Sequence, residues 1–140
     1  MKVLLLTFEE NEEDILTRIL SCIGNRTEIL EYEDRGILQF EGLCIDKYKR
    51  NVVREKNEVE LTYTEFEILL LLAQNTGVVF SKEQIYDTVW KEPYFGDYNI
   101  VMSHIRNIRE KIEDNPSKPI YIQTVWGVGY RFNKNLSSGL

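Results

Sequence analysis

Between Asn99 and Glu110 the chain carries side chains of the kinds that read the edges of bases. At helical spacing Asn99, Met102, Ser103, Arg106, Asn107 and Glu110 share one face, opposite the apolar series Val101, Ile105, Ile108 and Ile112. A guanidinium can pair bidentately with guanine, a carboxamide with adenine, and a thioether can meet the thymine methyl. The same face is open to a plainer reading as a solvated or protein-binding surface, and Met102 to one as core filler. His104, Arg109 and Lys111 flank the face, where phosphates would pass, and phosphate contacts fix register without reading sequence. For His104 a packed position at the helix edge is the competing reading.

A second group lies nearer the C-terminus, in the stretch TVWGVGYRF from Thr124 to Phe132. Strand formers flank two glycines there, which predicts a tight hairpin over about Ile120 to Phe132. Trp126 then stands near the tip, where no core surrounds it. Lys118, Arg131 and Lys134 bring cations to the same region, and of the neighbours Tyr130 and Arg131 the tyrosine is the one expected to point inward. Trp90 is either core or a phosphate donor through its indole N–H.

The elements that must position these groups are legible upstream. TYTE predicts a capping box, Thr62 with Glu65, opening a helix whose core face is Phe66, Leu69, Leu70 and Ala73 and which stops at Asn75-Thr76-Gly77. SKEQ predicts a second box, Ser81 with Gln84, opening a helix to about Trp90. Pro93 and Gly96 break the chain, and the third helix runs from near Asp97 to about Ile112. Before these helices, ILQF, LCID, NVVRE and EVEL alternate in short runs from Ile37, the pattern of a small antiparallel sheet. At the N-terminus KVLLLT (Lys2–Thr7) reads as a buried strand, and Ile15, Leu16, Ile19, Leu20 and Ile23 as one face of a helix.

A short helix, a turn and a longer amphipathic helix make a helix-turn-helix, and a following hairpin makes it winged. The expected fold is therefore α+β: a winged helix-turn-helix with an N-terminal antiparallel four-stranded sheet, three helices and a C-terminal β-hairpin, preceded by a short βα segment. The expected divisions are a strand-helix segment at 1–25, a linker at 26–36, the winged helix at 37–133 and a tail at 134–140.

Taken as a sum, a net charge of −6 argues against a nucleic-acid partner, but its distribution matters more. Residues 98–140 hold six Lys/Arg against three Asp/Glu, so the positive charge gathers where the hairpin lies. The longest fully apolar run, Ile68 to Ala73, is far short of a membrane span. With no leader-like N-terminus, the expectation is a cytoplasmic protein that does not meet the membrane. Cys22 and Cys44 stand in no metal or redox spacing, and His104 is the sole histidine, so neither a metal nor a cofactor is expected. No nucleophile elbow, phosphate loop or paired acids in a cleft-like context appears, so the chain is not read as an enzyme.

LTYTEFEILLLLAQNTGVVFSKEQIYDTVW, SHIRNIREKIE and YIQTVWGVGYRF, in this order and spacing, resemble the DNA-binding effector domain of OmpR/PhoB-type response regulators. The resemblance covers about Ile37 to Phe132. It implies a third helix in the major groove of double-stranded DNA and a wing against the minor groove or its phosphates. Carried over by position, Arg106 and Asn107 face bases, with Ile100, Met102 and Ser103 on the neighbouring turn, and Asn99 joins this base-facing set from its place on the helix face. Trp90, His104 and Arg109 fall on typical phosphate contacts, and Trp126 takes a wing position that is often Arg. Lys111 and Arg131 complete the expected phosphate and wing set. The segment with Lys91, Glu92, Tyr94, Phe95 and Asp97 matches the loop through which members contact RNA polymerase. Members bind direct repeats as head-to-tail dimers, so a homodimer is expected at least on DNA.

Two departures limit the transfer. Met102 stands where many members carry Asp, and Asn107 where Arg is frequent, so a target sequence cannot be borrowed. MKVLLLTFEENEEDILTRILSCIGN resembles only the opening strand and helix of a receiver domain. No phosphorylation site is therefore expected, and regulation by aspartyl phosphorylation is not. One strand and one helix bury too little to stand alone, so this segment is expected to dock on the winged helix, to pair with a second copy or to remain loose, with pairing the favoured solution. The alternative function is a winged-helix adaptor that binds RNA polymerase or a full-length regulator and not DNA.

Overall fold

The computed structural model describes residues 5–23, 35–91 and 97–136, apart from the side chain of Tyr98. The chain divides into two compact units, Met1–Glu33 and Asp34–Leu140.

In the first unit a 3-10 turn at Glu10–Glu12 leads into helix α1, Glu13–Ile23. Glu9 and Glu12 close that turn reciprocally, the amide of Glu9 donating to Glu12 Oε2 at 3.0 Å and the amide of Glu12 to the Glu9 carbonyl at 3.0 Å. The predicted helix is present, and none of its residues is buried. The predicted strand is not seen in its described part: Leu5, Leu6 and Thr7 have no regular structure, and Lys2–Leu4 lie outside the described residues. A strand needs a neighbour for its amides and carbonyls, and residues 5–23 offer no second strand. Most of the expected linker, residues 26–34, also lies outside them.

The second unit begins with the meander β1 (Ile37–Phe40), β2 (Leu43–Asp46), β3 (Asn51–Arg54) and β4 (Asn57–Val59), paired antiparallel in that order. Glu41-Gly42 turns the first hairpin, and the Asp46 carboxylate turns the second by accepting the amides of Tyr48 and Lys49 at 3.1 and 3.0 Å. Leu43, Ile45 and Val52 are buried in the core. The fourth strand ends at Val59, short of the predicted Leu61, because the backbone is already turning into the cap of the next helix.

Both capping boxes form as predicted. Thr62 Oγ1 accepts the Glu65 amide at 3.2 Å while Glu65 Oε1 accepts the Thr62 amide at 2.9 Å, opening α2, Tyr63–Gln74. Ser81 and Gln84 repeat the exchange at 3.1 and 2.8 Å, opening α3, Lys82–Trp90. Helix α2 is buried more widely than its predicted stripe, with Ile68 and Leu72 also inside, because α3, the later helix Tyr98–Ile112 and the strand Gly129–Phe132 all pack on it. The strip Tyr63, Glu67, Leu71 and Gln74 is left partly or fully to solvent, and with Leu71 on it the contrast between the two faces is weak.

Helix α4, Tyr98–Ile112, is capped by Asp97, whose carboxylate accepts the Asn99 amide at 3.1 Å. Its stripe Val101, Ile105, Ile108 and Ile112 is at most 1% exposed. Each such isoleucine contributes about 1.5–3 kcal/mol of burial. The wing follows as β5 (Ile122–Val125) and β6 (Gly129–Phe132). Phe80 extends this hairpin with a one-residue bridge to Tyr130, and the Gly77 amide donates to the Phe132 carbonyl at 2.8 Å. Leu136, in the expected tail, packs against the core.

Candidate nucleic-acid interface

Helix α4 is oriented from its C-terminal end. Arg54 on β3 donates from Nε to the Ile112 carbonyl at 2.9 Å, and Glu65 on α2 takes the Lys111 ammonium. With the isoleucine stripe locked inward, the opposite face is turned out by geometry alone. Asn99, Met102, Ser103, Arg106 and Asn107 are all exposed, as their spacing predicted. Met102, at 43% exposed, is therefore not core filler. Ile100 differs from the rest, since it is half-buried and packs against the core. It adjoins Val101 on the buried side, which a list of base-facing positions does not reveal.

Arg106 extends with its side chain 80% exposed, and only Nε touches a protein group, Glu110 Oε1 at 3.4 Å. Between α4 and the wing runs a groove lined by Asn99, Met102, Ser103, Ile105, Arg106 and Arg109 of the helix and by Tyr130 of the wing. At the other edge of α4, Trp90 stacks on Tyr86 with ring centroids 4.8 Å apart and planes 10° apart, and its ring is 5.5 Å from His104. His104 Nδ1 is buried without a hydrogen-bond partner, so the packed-edge reading describes one side of this ring.

The wing tip is a turn over Trp126, Gly127 and Val128, closed by the Val128 amide donating to the Val125 carbonyl at 3.0 Å. Gly127 has φ of +77°, which glycine adopts without a steric cost. Trp126 is 90% exposed. Tyr130 is buried and Arg131 lies on the opposite strand face, where Nε donates to Gln123 Oε1 at 3.0 Å.

Two cations expected to meet phosphate are engaged by groups of the protein itself. The Arg109 guanidinium donates twice to the Ile122 carbonyl, at 3.2 and 2.8 Å, and once to Thr124 Oγ1 at 2.8 Å. Burial lowers its pKa from the ordinary arginine value, against the opposing pull of Tyr130 and Glu113. Lys111 Nζ reaches both oxygens of Glu65, at 2.6 and 3.1 Å. These partners come from other elements, so the spacing along α4 could not disclose them. Sequence reading also passed over Glu113, which is 7% exposed and holds the root of the wing. Its only local sign is an acid at a helix end, where the macrodipole disfavours one. Of the expected polymerase-contact segment, Lys91 and Asp97 are exposed, while Glu92, Tyr94 and Phe95 lie outside the described residues. Among the described residues, no cluster of His, Cys, Asp and Glu could hold a metal, and no helix is long and apolar enough to cross a membrane.

A four-stranded sheet, a three-helix unit and a wing bordering an exposed polar helix face define a winged-helix nucleic-acid-binding domain. The chain belongs to the family described as transcriptional regulatory protein, C terminal, which matches residues 56–132. This is the OmpR/PhoB type of DNA-binding effector domain, a class of transcription regulators and not of enzymes. The chain is similar to the transcriptional regulatory protein YcbL of Bacillus subtilis, 40% identical over 123 residues, which cover 86% of this chain and 54% of YcbL. It is 44% identical over 104 residues to the regulatory protein VanRc of Enterococcus gallinarum, covering 74% of this chain and 42% of VanRc. The chain thus spans about half the length of the curated relatives it matches. Among solved structures, the Thermotoga maritima response regulator DrrB, an OmpR/PhoB homologue, superposes with a TM-score of 0.66 at 35% identity, over 91% of this chain and 55% of DrrB. The Klebsiella pneumoniae RstA DNA-binding domain, solved in complex with the RstA box, superposes with a TM-score of 0.65 at 29% identity, over 69% of this chain and 96% of that domain.

Proposed function

We propose that this chain is a sequence-specific double-stranded DNA-binding transcription regulator whose action does not require aspartyl phosphorylation. The observation that carries this reading is the face of α4. Asn99, Ser103, Arg106 and Asn107 stand exposed beside a wing whose tip presents Trp126, while the opposite isoleucine stripe is buried. A helix of this kind fits the major groove, with Arg106 and Asn107 reaching base edges and Met102 meeting a thymine methyl. Trp126 lies against sugar and phosphate, and Arg131 and the Trp90/His104 pair meet the backbone. The similarity to a domain solved with its DNA box supports the same reading.

Two copies bind direct repeats head to tail, and the segment around Lys91 and Asp97 is the surface offered to RNA polymerase. The acidic total, net −6, favours a second reading as a protein-binding adaptor. Selection of bound sequences from random duplexes, followed by titrations at several salt concentrations, separates the two. The regulator yields a consensus and a steep salt slope from released counterions. An adaptor yields neither, and that result would overturn the proposal.

A further inference from the structure

The wing is a two-stranded hairpin, and an isolated hairpin is marginally stable in water. One edge is closed by main chain, since Tyr130 exchanges hydrogen bonds with Phe80 at 2.8 and 2.9 Å. The other edge, along β5, is closed by two side chains one turn apart at the end of α4. Glu113 accepts the amides of Ile120 at 2.8 Å, of Tyr121 at 3.1 and 3.0 Å, and of Ile122 at 3.0 Å. Arg109 donates to the carbonyl of that same Ile122 and to the hydroxyl of Thr124, with its guanidinium carbon 5.6 Å from the centre of the Tyr130 ring. The two outward-facing backbone groups of Ile122 are thus held along one edge by opposite charges, Arg109 in the last turn of α4 and Glu113 at its C-cap.

We propose that Arg109 and Glu113 are positioning residues that lock the wing to α4, so that the two DNA-contacting elements meet a duplex as one preset body. The inference rests on the reading of α4 and the wing as the DNA-binding surface. A duplex offers its grooves at a fixed separation, and a wing free to swing must be ordered when it binds. Presetting it removes that entropic cost. Arg109 then acts through the wing and not as a phosphate contact. Lysine cannot take its place, because a single ammonium lacks the planar fork that spans a carbonyl and a hydroxyl together.

The test uses the full chain with Arg109→Gln, Arg109→Lys and Thr124→Val. Backbone amide relaxation is recorded for each without DNA, and affinity is titrated against salt on the selected duplex. Both Arg109 variants should keep the core spectrum of a folded protein while the order parameters of Trp126–Val128 fall from about 0.85 toward 0.6 or lower. Affinity should fall by roughly 5–10-fold with the salt slope unchanged, because no phosphate charge is lost. Thr124→Val, which leaves the guanidinium intact, should give a smaller change in the same direction. Unaltered wing order in Arg109→Gln and Arg109→Lys would overturn the proposal. So would full rescue by lysine together with a slope lowered by nearly one unit in the glutamine variant, the signature of a phosphate contact. If the wild-type chain selects no DNA, the reading of the surface fails, while the relaxation data still decide whether Arg109 holds the wing.

Discussion

Lys111 Nζ lies 2.6 Å from Glu65 Oε1, and that same oxygen accepts the Thr62 amide at 2.9 Å. One carboxylate, 2% exposed, therefore caps the start of α2 and holds the last turn of α4. Burial pushes the Glu65 carboxyl up, but the Lys111 ammonium and the Thr62 amide and hydroxyl outweigh it, and its pKa lies below the ordinary value. A depressed folded pKa stabilises the fold above the unfolded value of about 4.3, and the gain disappears as pH falls through the folded value. Glu65→Gln should cost about 2 kcal/mol at pH 7, discounted for the part-exposed lysine, and much less near pH 3. Urea unfolding at the two pH values checks this, and an equal difference at both would sink it. Lys111→Met should leave the salt slope of DNA binding unchanged, because its charge is spent on Glu65.

Gly129 and Gly127 should respond differently to alanine. A Cβ on Gly129 would stand 2.0 Å from the Phe80 carbonyl oxygen, a backbone atom that cannot swing aside. Gly129→Ala should therefore break the Phe80–Tyr130 bridge and cost about 2–4 kcal/mol. A Cβ on Gly127 meets nothing within 4 Å, so Gly127→Ala should cost only the left-handed backbone penalty, about 1 kcal/mol. Thermal unfolding of the pair gives the comparison, and equal losses would show that the close approach to Phe80 is not limiting.

Arg106 is expected to read a base. Arg106→Ala should weaken binding to the selected site by about 1–3 kcal/mol and relax preference at one base pair. Titration on matched and scrambled duplexes checks it. An equal loss on both would make Arg106 a phosphate contact.

Trp126 is expected to matter to binding and not to folding. With 90% of its surface exposed, its replacement by Ala should change stability by no more than about 0.5 kcal/mol. Affinity should fall by about 1 kcal/mol on every sequence, as for one neutral hydrogen bond, with the salt slope unchanged. Trp126→Arg should tighten binding and steepen the slope by nearly one unit. Unfolding of the alanine variant would contradict the exposed tip.

Acetyl phosphate should alter neither the mass of this chain nor its affinity for DNA. A hydroxylamine-sensitive phosphate on any carboxylate would refute phosphorylation-independent action.

What the sequence determined by itself is short-range. Both capping boxes, the α4 stripe and the tip glycine were readable because each depends on residues three or four apart, or on one backbone angle. The exposure of Arg106 and Asn107 followed from the same periodicity, since burying one side of a helix turns the other out. The tertiary structure decided where charge goes. Lys111 and Arg109 sit on the flank of the predicted reading face, and nothing in their spacing distinguishes a phosphate donor from a strut. Lys111 is claimed by a carboxylate 46 positions away, and Arg109 by a strand beginning 13 positions on. Ile100 turned inward and Leu5–Thr7 formed no strand for a related reason. The partner that would bury a side chain or pair a backbone is supplied by packing between distant segments, and a long side chain near several acceptors goes to the one that packing brings within reach.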